Sequence, residues 1–171
     1  MDPGNATWTI EDPMLNLEVL GPYVLTTGIR DTAVWETERG AHCMWANIGH
    51  GVIDWPAYVK RFREVCSETP FVLEIISYKW SSEMKYLEPE FWSRFPKARA
   101  REFARFVALA KRGEPYELPP GRPAGEPSPE LERAQQKFDL EQSLTYCREV
   151  LGLGVATTTS QTRPGRRLPR G

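Results

Sequence analysis

Residues 70–77 read PFVLEIIS. Apolar side chains that run on without alternating are buried on both faces. A short run of this kind, bounded by a proline and a serine, is a strand in a parallel sheet. Parallel strands need long crossover connections, usually helices, so this stretch points the whole chain toward an α/β architecture.

The flanking segments fit that scheme. EDPMLNLEVLG (11–21) reads as a helix, with Asp12 as N-cap, Pro13 at the first helical position and Gly21-Pro22 as its stop. YVLTTGI (23–29) is a second strand. TAVWETERGAHCMWANIG (32–49) reads as two short strands around a turn at Glu38-Arg39-Gly40. DWPAYVKRFREVC (54–66) is a helix capped by Asp54, with Trp55, Tyr58, Val59, Phe62 and Cys66 on one face. Residues 89–113 are helical in two pieces split at Pro96. The strands at 23–29 and 70–77 are expected as parallel neighbours, with helix 54–66 crossing between them and the hairpin above their C-terminal ends as a lid. From residue 113 the sequence GEPYELPPGRPAGEPSP is a Pro/Gly-rich linker. A helix from Pro129 to about residue 151 follows, with Leu131, Ala134, Phe138, Leu144, Cys147 and Leu151 as its docking stripe. The stretch from residue 154 carries four arginines and no acid, and reads as a disordered basic tail.

Bulk properties narrow the class. The chain has 171 residues, a length suited to one domain, and a formal net charge of −1, so no global field draws it to nucleic acid or an anionic membrane. No segment approaches the ~18 apolar residues of a membrane span. Cys43, Cys66 and Cys147 are odd in number and widely spaced, as free thiols in a reducing compartment are, and the expected location is the cytoplasm.

Four places could carry chemistry. Glu74 stands alone among apolar neighbours, and a carboxylate in a strand buried on both faces must be paired, protonated or metal-bound. The plain alternative is an edge strand with Glu74 facing water. Asp2 lies in DPGN, either at a strand end or in an ordinary turn. Arg30 and Asp31 follow the strand at 23–29. A guanidinium there grips a hydroxyl, carboxylate or phosphate, or else forms a surface pair. His50 lies in GHGVID, a glycine loop that can host an anion or simply bend. No Ser/His/Asp set, P-loop or dinucleotide fingerprint is present.

The run DPGN…EDP…LGPYVLTTGIRDTAVWETERGA…IGHGVIDW…FVLEIIS resembles the C-terminal half of bacterial sugar phosphate isomerases/epimerases, which are xylose-isomerase-like TIM barrels. The resemblance covers residues 1–112, and EFWSRFPKARAREFARFVALAKRG and FDLEQSLTYCREVLGLG look like the later part of one subgroup. It implies the last two to three β/α units of a (β/α)8 barrel at 1–112; composition then divides the rest into a linker at 113–128, a C-terminal helix at 129–153 and the basic tail at 154–171. The resemblance also implies one divalent metal (Mn, Mg or Co) held by Glu, Asp, His and Glu at strand ends. Asp2 matches the second of these ligands and Glu74 the fourth. The third belongs to a pattern H-I-R-D that reads G-I-R-D here, so Gly28 replaces the histidine. The first lies on a strand upstream of residue 1.

The implied activity is metal-dependent proton transfer next to the carbonyl of a sugar or sugar phosphate. Glu74 would be both ligand and acid/base, and Arg30 and His50 would contact substrate. With Gly28 at a ligand position and barrel strands lacking, the expectation is a truncated, inactive relative with weak or no metal binding. The alternative is a non-catalytic module whose exposed sheet edge pairs with itself or with a separate N-terminal half. A third reading is an enzyme with a different, smaller site.

Overall fold

The computed structural model describes residues 1–76 and 81–154. Its elements are α1 (Pro3–Ala6), a 3₁₀ turn (Thr7–Thr9), α2 (Pro13–Leu20), β1 (Asp31–Thr37), β2 (Gly40–Ala46), α3 (Trp55–Val65), β3 (Ser81–Met84), a 3₁₀ segment (Pro89–Arg94), α4 (Ala100–Arg112) and α5 (Pro129–Glu149). The architecture is mixed α/β, with an antiparallel sheet of order β1-β2-β3.

The expected parallel strands are present in reduced form. Ile29 N–H donates to Val72 O (2.7 Å) and Glu74 N–H to Ile29 O (2.8 Å), a single parallel bridge between Ile29 and Leu73. Thr27 extends the pairing through its side chain, donating to Pro70 O (2.8 Å) and accepting from Val72 N–H (2.9 Å). On the other side the Met1 amino group donates to Thr26 O (2.8 Å) and Gly28 N–H donates to Met1 O (2.9 Å), the alternation of a parallel pair. Three parallel segments therefore lie side by side, around Met1, residues 26–30 and residues 71–75. None is a regular strand of the length expected, and Ser77 lies outside the described residues.

Two cores hold the fold. In the first, α3 crosses between the parallel segments as expected. Asp54 caps it by accepting from Ala57 N–H (3.1 Å), and Trp55, Tyr58, Val59 and Phe62 are buried on its inner face. Each such side chain stabilises by about 1.5–3 kcal/mol on burial. They meet Ile29, Phe71, Leu73 and Ile75, and Phe71 stands edge-on to Phe62 at 5.3 Å. In the second core, β1 and β2 pack Val34, Ala41 and Cys43 against Phe106 and Ala110 of α4, with Met84, Tyr86 and Phe91.

Several expectations need correction. Asp2 stands extended at the end of the Met1 segment as expected, but it caps a helical turn over residues 3–6 rather than an irregular turn. β3 has no apolar pattern and was not foreseen; it adds to β2 with Ala41 opposite Met84. The helix over the outer face of residues 71–75 is α5: Cys147 and Leu151 join the first core, and Gln136 donates to Ile75 O. Helix α4 belongs to the hairpin instead.

The docking stripe of α5 is also more polar than expected. Asp139, Ser143 and Cys147 are buried at four-residue spacing, whereas Ala134 is exposed. Asp139 is ion-paired with Arg122 at 2.9 Å, both side chains being about 5% exposed or less, and accepts from Asn47 Nδ2–H (3.1 Å). Ser143 Oγ accepts from Ile48 N–H (3.3 Å). The Pro/Gly-rich segment is thus irregular as expected, but its Arg122 is a buried anchor. The basic tail from residue 155 onward lies outside the described residues. Among the described residues no helix is long and apolar enough to cross a membrane.

Candidate functional site

The three parallel segments bring Asp2, Gly28, Arg30 and Glu74 to one end, although 72 positions separate the first from the last. Arg30 is the centre. Its Nε lies 2.8 Å from Asp2 Oδ2 and its Nη2 lies 2.7 Å from Glu74 Oε2. The contact to Asp2 is an ion pair whose angle falls short of a hydrogen bond, and Nη1 is buried without a hydrogen-bond partner. The guanidinium stacks under the Trp45 ring, 4.5 Å from its centroid, a cation–π contact supplied by β2. Trp45 Nε1–H donates in turn to Asn5 Oδ1 (3.3 Å). The hairpin thus reaches over the strand ends through one indole.

The two carboxylates differ in environment. The Asp2 side chain is 17% exposed, and burial raises its carboxyl above the ordinary value. The Asn5 N–H and the Arg30 charge oppose that rise, and the Glu74 charge adds to it. Glu74 is 48% exposed, which corrects the expectation of a carboxylate buried on both faces. Phe71, Leu73 and Ile75 point to the first core, while Val72 and Glu74 between them face solvent. Only one face of this layer is covered.

Arg30 and Asp31 are not a surface pair. Asp31 is fully buried, and four N–H donors converge on it. Oδ1 accepts from Thr32 N–H (2.8 Å); Oδ2 accepts from Gly49 N–H (3.0 Å), Gly51 N–H (3.0 Å) and Trp55 Nε1–H (2.7 Å). Burial outweighs these donors and pushes its carboxyl up to about 6. The glycines of the GHG loop follow from this. Gly49 has φ +88°, and a Cβ on Gly51 would collide with the Asp31 carboxylate and Thr32 O. The spacing of Asp31, Gly49-x-Gly51 and Trp55 is the signal that could have marked Asp31 as the loop anchor.

His50, between those glycines, is exposed and does not join Arg30. It lines a separate cleft of about 740 Å³ with Val52, Arg112, Glu114 and Tyr116, whose walls include neither Asp2, Arg30 nor Glu74. The loop's amides are spent within the fold, Gly49 and Gly51 on Asp31, His50 on Asn47 O and Val52 on Thr32 O, so the loop offers no anion nest.

A divalent ion does not fit the converging residues as they stand. Its natural place between the two carboxylates is filled by the Arg30 guanidinium, and Gly28 contributes no ligand. Among the described residues no group of three or more His, Cys, Asp and Glu side chains could hold a metal ion. No family model, no curated protein and no solved structure matches the chain.

Proposed function

We infer that the chain is a sugar phosphate isomerase/epimerase-like α/β unit, the end of a xylose-isomerase-like barrel, and that its site does not turn over a sugar in this form. The observation that carries this reading is the convergence of Asp2, Gly28, Arg30 and Glu74 from three adjacent parallel segments. Strand ends of parallel sheets are where barrels gather polar side chains. The face bearing Val72 and Glu74 is open. In a closed barrel that face points inward, so its exposure agrees with a layer that further β/α units would complete.

The chemistry available is limited. Stereochemical inversion next to a carbonyl needs one group to take a proton and a second, on the opposite side, to return one. The cluster offers one solvent-facing carboxylate, Glu74, and it is ion-paired with Arg30. A sugar or sugar phosphate would meet Arg30, Glu74 and the open face; the cluster's other carboxylate, Asp2, is largely buried against Arg30.

The test is titration of the ¹⁵N-labelled chain with ketoses and ketose phosphates in H₂O, with a parallel incubation of the same sugars in D₂O. Weak binding is expected, with perturbed amides at Thr26, Gly28, Val72 and Glu74 and no exchange of the hydrogen beside the carbonyl. No perturbation at any of these amides would overturn the sugar-site reading, and hydrogen exchange at a catalytic rate would overturn its inactivity. A second reading, a non-catalytic module that pairs with its own copy, draws on the exposure of Tyr23 (81%), Leu25 (89%) and Val72 (47%). It predicts a concentration-dependent dimer in sedimentation, lost in the Leu25→Ser, Val72→Lys double variant.

A further inference from the structure

We propose that Arg30 is the resident cation of this site: its guanidinium holds Asp2 and Glu74 in the place where a divalent ion would otherwise do so. The inference rests on the barrel reading above for the identity of the site, but its argument is geometric.

Two carboxylates that face one space repel unless a positive charge lies between them. Arg30 supplies that charge on two separate nitrogens, 2.8 Å from Asp2 and 2.7 Å from Glu74. A planar guanidinium can bridge two acceptors with fixed geometry, which a lysine ammonium cannot match. Its stem is buried and its plane is clamped by Trp45, so the head is held in the site and cannot swing out to solvent without moving the indole.

Gly28 is part of the same device. A Cβ at this position would overlap the Glu74 carboxylate. A bare backbone here is what lets Glu74 lean across to Arg30. Any side chain at 28, a metal-binding histidine included, would displace Glu74 from the guanidinium. The absence of a ligand at 28 and the Arg30 bridge are therefore one arrangement, in which the site is assembled and its negative charge partly offset from within the chain. Hard divalent ions give up their waters only to several preorganised donors, and here both carboxylates already have a partner.

The 171-residue chain is titrated with Mn²⁺, followed by the electron paramagnetic resonance of the free ion and by thermal unfolding. For the unmodified chain no saturable binding is expected below about 1 mM, and no rise in Tm. Glu74→Gln, at a half-exposed position, is expected to lower Tm in metal-free buffer and to leave the response to Mn²⁺ unchanged. Arg30→Met is expected to lower Tm further, with Mn²⁺ restoring part of the loss and binding at least about tenfold more tightly than to the unmodified chain. If Arg30→Met does not fold, the first two arms decide. Saturable one-to-one binding by the unmodified chain, abolished in Glu74→Gln, would overturn the proposal, as would a Glu74→Gln chain with unchanged or raised metal-free Tm. Such a result would leave the isomerase/epimerase reading standing, since the ketose titration tests that reading separately.

Discussion

The hairpin layer and the parallel layer meet at Arg30 but are built differently. β1 and β2 pair along seven residues each, from Asp31 opposite Ala46 to Thr37 opposite Gly40, and β3 adds a third strand. That ladder satisfies its own backbone, and Phe106 of α4 and Phe91 of the 3₁₀ segment cover its apolar side together with Tyr86 from the link after β3. The parallel layer has one bridge at Ile29 and Leu73, a side-chain bond through Thr27 and a short pairing with Met1. Its outer face is well packed by α3 and α5, and its other face is open. The contrast separates two kinds of order. The hairpin layer draws stability from local pairing, whereas the parallel layer depends on helices brought from far along the chain and on polar anchors. The candidate site belongs to the second kind and takes only its Trp45 cover from the first.

The contrast can be broken by core substitutions. Phe106→Ala empties a fully buried position in the hairpin core and is expected to cost about 3–5 kcal/mol in urea unfolding, without freeing α5. Asp139→Ala removes the buried carboxylate that pairs with Arg122 and is expected to cost about as much, 3–5 kcal/mol, but to act on the other layer. Limited proteolysis should then cut within 113–128 well before the hairpin. Equal protease sensitivity of both layers in the two variants would merge them into one unit.

A pH profile sharpens the link between the layers. Asp31 starts β1, yet it fixes the loop that leads into α3. Its carboxyl lies at about 6 when folded against 3.8 ordinarily, so the folded state favours the protonated form. The associated stability is fully present below pH 3.8 and is lost as pH rises through about 6. The stability difference between the unmodified chain and Asp31→Asn should therefore shrink by about 3 kcal/mol across that window. A flat or opposite difference would mean that the four donors, not burial, govern this carboxylate. The smallest effect is expected at Val72→Ser on the open face, within about 0.5 kcal/mol of the unmodified chain. A cost above about 2 kcal/mol would show that this face is covered in solution.

Local signals made much of this legible from residues alone. Asp12 before Pro13 marked α2, Asp54 as N-cap marked α3, and Glu38-Arg39-Gly40 marked the hairpin turn. The apolar face of 54–66 gave the helix that crosses between the parallel segments. The resemblance, not periodicity, brought Asp2, Gly28 and Glu74 together. What escaped depended on distant partners. The run at 71–76 looked buried on both faces because periodicity records apolar side chains, not whether a covering layer exists. Asp139 and Ser143 interrupt the apolar pattern of α5, so a stripe drawn through Leu131 and Ala134 missed a row whose anchors are Arg122, Asn47 and the Ile48 amide. Asp31 was hidden because its four donors come from Thr32, Gly49, Gly51 and Trp55, mostly far along the chain. His50 stood out by residue type, but its loop is held by glycine amides and Asp31, and it faces another cleft.

The account stands or falls on the parallel register that brings Asp2, Arg30 and Glu74 to one end. Residue-resolved amide hydrogen exchange tests it most directly. Gly28, Ile29, Val72 and Glu74 donate across that register and should be protected, whereas the amide of exposed Leu25 should exchange rapidly. Exchange at Ile29 and Glu74 as fast as at Leu25 would contradict the register, and with it the site.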